Sequence, residues 1–381
     1  MPIEVIKVNK KLTTVPVQFT PAFYKKAVKA YKEGDYRNLI ALMEQAELDS
    51  HVSGCLQARN AGYSRDWRVT EVSQNAQDQA VRDFVNEVFK NLNMDELFED
   101  IIDGKFKIYA VISLVWEIID NQQVITNTAK LHQKYFRRDP KDEILKLDFG
   151  KDLRDIPADA ALIIETLRNP VLLPVVRDYI LKEFGVESWA SFIEMFGEAF
   201  VIGYYPPGSG DDFKKEVDDA VNAIGQSARG TAPEGTKFEI HEATRNTGDQ
   251  DRFVDRCDKA ISITLLGHEN AVAESTGFQV GENLTGYKVK REIAIKDIKF
   301  IERYIQKLIK MLVDRNYGGV TQYPKFSIDK SEPINVREHI LALEGAYNQG
   351  LQIDPNDWGK VGVTILEGQK PLQKPVIPLL D

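Results

Sequence analysis

Nine basic side chains fall between Lys288 and Arg315: Lys288, Lys290, Arg291, Lys296, Lys299, Arg303, Lys307, Lys310 and Arg315. Only Glu292, Asp297, Glu302 and Asp314 offset them, so the stretch carries +5 in a chain of net charge −9, and the remainder carries −14. Clustered ammonium and guanidinium groups suit a polyanion, because each one that meets a phosphate releases condensed counterions. The alternative is a solvated helix whose bases pair with acids elsewhere in the chain. The stretch before these bases, Leu265 to Tyr287, is polar, glycine-bearing and without helical rhythm. The bases therefore stand behind a pliant segment.

Other chemistry is sparse. No GxxxxGK[ST] cradle for nucleotide phosphates is present, and Gly203, Gly208 and Gly210 do not form a GxGxxG fingerprint. The histidines His51, His132, His241, His268 and His339 stand apart. His268-Glu269 opens an HExxH pattern, but Val272 occupies the place of its second histidine. Asp211-Asp212 and Asp218-Asp219 read as one solvated helix face rather than as cation ligands. No serine sits in a nucleophile elbow. Trp67, Trp116, Trp189 and Trp358 read as core or interface anchors. The expectation is no catalytic residue, no metal and no cofactor.

The elements that position the bases follow from periodicity. Ile298, Ile301, Ile305, Leu308 and Leu312 step by three and four, the spacing of an apolar seam on one helix face. With no Gly or Pro from Lys288 to Arg315, the pattern predicts a helix about 40 Å long, stopped at Asn316 and Gly318-Gly319. The seam is a candidate subunit contact, with packing inside the subunit as the alternative. Residues 1–20 alternate mildly and read as extended. Helices are predicted from Pro21, over YRNLIALMEQAEL, after Asp49-Ser50, and as a pair over 75–104 joined near Asn91–Met94. Residues 67–73 alternate as a strand. Residues 106–119 and 122–131 read as a strand pair around Asp120-Asn121, and 160–166 as a short strand. Two helices are predicted over VLLPVVRDYILKEF and SWASFIEMFG. Then come the break Tyr204-Tyr205-Pro206-Pro207-Gly208-Ser209-Gly210, a helix from Asp211, a strand KFEIHEA, and a helix over 250–265. A strand over 321–329, a helix over 336–347 and a proline-rich extended tail close the chain.

Composition sets the outer limits. A chain of 381 residues with 43% hydrophobic and 28% charged residues buries a core and holds two or three domains, or one elongated subunit. Cys55 and Cys257 are too few and too distant for a disulfide framework, which points to a reducing compartment. The N-terminus lacks the long apolar run of a signal peptide, and no apolar run is long enough to span a membrane.

Four blocks resemble the portal proteins of Mu-like tailed bacteriophages. The first is Asp49-Ser-His-Val-Ser-Gly-Cys-Leu-Gln-Ala-Arg59 with Trp67 behind it. The second is Trp116-Glu117-Ile118 with Phe136-Arg137-Arg138-Asp139. The third is Ser188-Trp-Ala-Ser-Phe-Ile-Glu-Met-Phe-Gly197 followed by Gly203-Tyr-Tyr-Pro-Pro-Gly-Ser209. The fourth is Leu265-Leu266-Gly267, the polar loop, and the long helix ending Arg315-Asn316-Tyr317-Gly318. The resemblance covers roughly residues 40–350. The loop departs from it, since Ser275-Thr276-Gly277 is shorter than the Gly/Ser runs of many members.

The resemblance implies a mainly helical α+β portal fold with wing, stem, clip and small crown. Residues 1–168 would be wing, 169–198 a stem helix region, 199–246 the clip and 247–265 the returning stem helix. Residues 266–332 would return to the wing with the tunnel loop and the basic helix, and 333–381 would form crown and C-terminal arm. It implies a ring, usually of twelve copies, at one capsid vertex, through which double-stranded DNA passes in packaging and ejection without sequence reading. DNA would face Asn270, Glu274, Ser275, Thr276, Gln279, Asn283, Lys288, Lys290 and Arg291. Tyr204, Tyr205, Pro206 and Pro207 would be clip or subunit contacts. Implied partners are other copies of itself, the large terminase motor, a head-tail adaptor or neck protein, and the major capsid and scaffold proteins, with no membrane. The implied location is the virion, with assembly in host cytoplasm. A soluble α/β enzyme with an unrecognised site, or a portal of a gene-transfer particle or defective prophage, are the alternatives.

Overall fold

The computed structural model describes residues 20–150, 152–166, 169–196, 200–227, 236–241, 248–269, 283–331, 340–341 and 343–346. Residues Met1–Ile328 form one compact unit and Asp329–Asp381 a second. The described part of the second unit includes helical residues 340–341 and 343–346. The rest of the expected crown, arm and helix over 336–347 lies outside the described residues, as does the N-terminal segment before Thr20.

The first unit is mainly helical. It begins with α1 (Pro21–Lys32), α2 (Arg37–Ala46) and α3 (Ser50–Asn60). Pro21 opens α1 at its first turn, and the Thr20 hydroxyl accepts the Phe23 N–H at 3.2 Å. Asp49 caps α3 by accepting the N–H groups of His51 and Val52, both at 3.0 Å. Strand β1 (Trp67–Thr70) precedes α4 (Ala76–Lys90) and α5 (Met94–Phe106), capped by Asn75 and Asn93.

Strands β2 (Tyr109–Ile119) and β3 (Gln122–Leu131) form the predicted hairpin. Asp120 and Asn121 both take positive φ, 49° and 63°, as a two-residue turn with the right-handed twist of a hairpin requires. After β4 (Phe136–Arg138), β5 (Leu145–Asp148) and β6 (Leu153–Asp155), which make a small antiparallel sheet, β7 (Ala161–Glu165) joins the other edge of β2. The later elements are α6 (Leu172–Phe196), β8 (Phe200–Tyr204), α7 (Asp211–Ser227), β9 (Lys237–His241), α8 (Gly248–Leu266), α9 (Asn283–Asn316) and β10 (Lys325–Ile328).

Four expectations are corrected. The two helices expected over 170–198 are one 25-residue helix, α6. Gly185, between the two expected stretches, stays in the helix where α8 packs closely: a Cβ at Gly185 would lie 2.8 Å from the Phe253 ring. The break expected from Tyr204 begins one residue later, because Phe200–Tyr204 is a strand paired antiparallel with β9, from Phe200↔His241 to Tyr204↔Lys237. The strand expected over 321–329 shortens to β10, which pairs with β1 and places Phe326 against Trp67, Phe89 and Phe98.

The fourth correction concerns the seam of α9. Ile298, Ile301, Ile305, Leu308 and Leu312 are at most 1% exposed, so they form core inside the subunit and no subunit contact. α4, α5, α8, β3, β7 and β10 all pack on this helix. Burying such side chains stabilises the fold by about 1.5–3 kcal/mol each. Hydrogen bonds fix the helix along its length. The Tyr304 hydroxyl donates to the Glu165 carbonyl at 2.9 Å, and Asn316 exchanges bonds with the Gln123 backbone at 2.7 and 2.8 Å.

Candidate nucleic-acid interface

Once α9 has buried its seam, the opposite face is fixed. Lys296, Lys299, Arg303, Lys307 and Lys310 are exposed and step by three, four, four and three, so they share one stripe about 21 Å long. Exposed Glu292 and Asp314 mark its two ends. None of the five bases forms an ion pair with a described residue, although the chain outside the long helix is strongly acidic. Aromatic rings lie beneath the stripe: the Arg303 guanidinium is 5.1 Å from the Phe300 ring and 5.4 Å from Tyr304. Lys307 is 4.6 Å from Tyr304, and Lys310 is 5.8 Å from Tyr323. Cations resting on ring faces keep their heads in water and available to an anion. The alternative weighed from sequence, pairing with acids, therefore finds no partner for these five among the described residues and holds for Arg315. That residue lies 2.9 Å from Asp159, donates to Gln123 at 2.7 Å and stacks 4.2 Å from the Trp116 ring centre.

The root of the polar loop is built with care. α8 ends at Gly267, whose φ is +80° and whose N–H reaches the Ile263 carbonyl at 3.0 Å, the left-handed stop that glycine adopts without strain. α9 starts at Asn283, earlier than the Lys288 expected from periodicity, so residues 283–286 are helical and Asn283 opens the helix rather than lying in the loop. Gly286 is buried, and a Cβ there would come within 3.2 Å of the His268 ring. Lys288 is exposed on α9, while Lys290 and Arg291 are half-buried. Asn270, Glu274, Ser275, Thr276 and Gln279 lie outside the described residues.

A buried ionic cluster holds both stems of that loop. Arg59 on α3 grips Asp297 of α9 with two bonds, Nε at 2.7 Å and Nη2 at 3.1 Å, and its Nη1 donates to the Leu265 carbonyl at 2.8 Å. Lys105 on α5 adds a third cationic contact to Asp297 at 2.5 Å. Asp297 is 0% and Arg59 7% exposed. One guanidinium thus joins the last turn of α8 to α9 about four turns from its start.

A second cluster ties α6 and α8 to α3. Lys182 Nζ sits 2.9 Å from Asp49 and 2.8 Å from Asp258, while His51 Nε2 lies 2.8 Å from Ser262 Oγ and 2.9 Å from the Asp258 carbonyl. Burial opposes the Lys182 charge, but hydrogen bonds to Asp258 and Asp49 outweigh it and hold its pKa above the ordinary lysine value. Burial also pushes the Asp49 carboxyl up, yet bonds from Lys182 and from the Val52 and His51 N–H groups bring it below the usual carboxylate range. Asp49 therefore adds stability above its unfolded value near ~3.9, and that contribution fades as pH falls through its lower folded value. Lys182 contributes fully below about 10.4 and loses that contribution as pH rises through its folded value. Lys182→Met should lower the melting temperature most at about pH 7, with the gap to wild type closing as pH falls below about 4. Thermal scans across that range read it, and a gap independent of pH would mean that lost packing, not charge, sets the effect.

Tyr204 and Tyr205 are each 45% exposed, and Pro206 and Pro207 are exposed beside them in the turn between β8 and α7. Lys237 of β9 lies 5.9 Å from the Tyr204 ring. Among the described residues no group of three or more His, Cys, Asp or Glu side chains is placed to hold a metal ion, and no helix is long and apolar enough to cross a membrane.

Comparison with known proteins decides the family. Residues 40–361 match the family described as the portal protein of Mu bacteriophage. The chain belongs to this portal family. Among its relatives is the Mu-like prophage FluMu protein gp29 of Haemophilus influenzae strain Rd, 23% identical over 89% of this chain and 69% of that protein. Another is the portal protein of Escherichia phage Mu, 28% identical over 43% of this chain; the match spans 33% of that relative's length. The portal chain also shares its fold with chains in two structures of gene transfer agent (GTA) particles. One is from the virion of a native particle, with a TM-score of 0.61 at 9% identity over 89% of this chain and 99% of that one. The other is from the neck of a native particle treated with C12 symmetry, with a TM-score of 0.58 at 10% identity over 86% and 94%. The mainly helical α+β portal fold implied by the four sequence blocks is thereby shown.

Proposed function

We propose that this portal-family chain assembles into a ring of about twelve copies at one capsid vertex and forms the conduit for double-stranded DNA in packaging and ejection. The observation that carries the reading is the family match across residues 40–361; the unpaired cationic stripe on α9 supplies the matching chemistry. A conduit must confine a duplex without arresting it. Lysine and arginine contacts to phosphate are sequence-blind, and a short stripe in an otherwise acidic subunit limits the grip.

In this reading α6 and α8, which pack on one another, are the stem pair, and β8, β9 and α7 make the clip with Tyr204 to Pro207 at its surface. The elements before α6, together with α9, make the wing; the loop from 267 towards Asn283, with Lys288, Lys290 and Arg291 behind it, faces the tunnel. Residues 333–381 supply crown and arm. The twelvefold neck of the GTA particle supports the ring size. Partners are the terminase motor, a neck adaptor, and the capsid and scaffold proteins, met in the host cytoplasm and retained in the virion. The sequence relatives favour a phage or prophage portal over a gene-transfer particle.

Size-exclusion chromatography with light scattering should give a mass near twelve times 43.2 kDa, and negative-stain images should show a central hole. A compact monomer or dimer would overturn the ring and return the enzyme reading.

A further inference from the structure

The hairpin of β2 and β3 outruns its sheet. β7 pairs with β2 only from Tyr109 to Ser113, and the Leu114 N–H still reaches the Ala160 carbonyl at 2.9 Å. There the chain before β7 turns away, closed by the Ala160 N–H to the Pro157 carbonyl at 3.0 Å. Beyond Leu114, β2 keeps β3 on one side, and no described strand pairs with its other side. A bare strand edge exposes main-chain donors and acceptors that template a further strand.

This edge is apolar where solvent-facing strands are usually charged. Ile118 is 75% and Ile119 48% exposed, and Val115 is exposed as well. Beside it lies an open groove of about 470 Å³, lined by Leu114, Trp116, Ile118, Pro157, Asp159 and Arg315. Its floor is rigid: the Trp116 indole N–H donates to the Asp159 carbonyl at 2.7 Å, and Arg315 is locked between Asp159, Gln123 and the Trp116 ring. The exposed charges around the edge, Glu117, Asp120 and Asp159, are acidic.

We infer that the open edge of β2 at 115–119 accepts an added strand from a second copy of this chain, supplied by its N-terminal residues 3–11. The inference rests on the self-assembly proposed above and names one of its contacts. Residues 3–8 read Ile-Glu-Val-Ile-Lys-Val, four of six β-branched, with no Gly or Pro, so the segment suits a strand. Lys7, Lys10 and Lys11 complement the acidic rim. The other terminal segment is a poor donor, because Pro371, Pro375 and Pro378 lack the N–H that a ladder needs. Donation from one copy to the next is a heterologous contact, the kind that closes a ring.

Three preparations of the full chain test this by light scattering: wild type, Ile118→Asp with Ile119→Asp, and a deletion of residues 2–11. Both altered chains should lose the ring mass while each monomer keeps a cooperative melting transition; Ile118 and Ile119 are exposed, so their replacement removes no core packing. A mixture of Val5→Cys chains with Ile118→Cys chains should form a disulfide-linked dimer on oxidation, which neither chain alone forms; Cys55 and Cys257 are buried. Rings that survive either change, or a mixture that yields no disulfide between Val5→Cys and Ile118→Cys chains, overturn the donated strand while leaving the portal reading intact. A wild-type chain that stays monomeric overturns the assembly reading itself, and the donated strand with it.

Discussion

Asp297→Ala should cost about 3–5 kcal/mol of stability, because it leaves the Arg59 guanidinium buried without its counter-charge. Arg59 is 7% exposed and its guanidinium lies 4.8 Å from the Phe106 ring centre. Removing both charges with Arg59→Met and Asp297→Leu should recover much of the loss, since an apolar pair of similar volume avoids the desolvation that the ions endure. Urea unfolding of the wild type and the two variants under one set of conditions measures the contrast. The single change should also speed hydrogen exchange in the last turn of α8, where Arg59 holds the Leu265 carbonyl. A loss under about 1 kcal/mol would show that the cluster is not what fixes the two stems of the loop.

Replacing Lys296, Lys299, Arg303, Lys307 and Lys310 by Gln should flatten the salt dependence of duplex DNA binding. If all five meet phosphate, the slope of log affinity against log salt falls in size by up to about 4.5. The corresponding contacts weaken wild-type binding by between two and three orders of magnitude from ~50 to ~200 mM salt. Ring mass should not change, because these side chains are exposed and unpaired among the described residues. Fluorescence anisotropy with a labelled duplex, run on assembled rings at several salt concentrations, reads the slope. A parallel variant carrying Lys288→Ala, Lys290→Ala and Arg291→Ala reports the share of the bases nearest the loop. An unchanged slope in the five-residue variant, with a reduced one in the three-residue variant, would move the DNA contact to the start of α9.

These expectations separate what a chain states locally from what folding adds. The step of Ile298, Ile301, Ile305, Leu308 and Leu312 announced a helix and its buried face, since 3.6 residues per turn is a property of the backbone alone. Asp120-Asn121 announced a hairpin, and Asp49 a cap, because both act within four residues. The four blocks from Asp49 to Gly318 announced the family, which the match over 40–361 shows.

Sequence did not tell which of nine bases on α9 stay free. That choice is made by distant neighbours: Asp159 and Gln123 take Arg315, whereas no described acid reaches Lys299 or Lys307. Nor could it join Arg59 to Asp297 across 238 positions, keep α6 whole at Gly185, or leave one side of β2 beyond Leu114 without a strand partner among the described residues. Periodicity and turns depend on bonds between near neighbours in the chain. Ion partners, close helix contacts and open strand edges depend on which remote segments the topology brings together, and only the folded chain settles that.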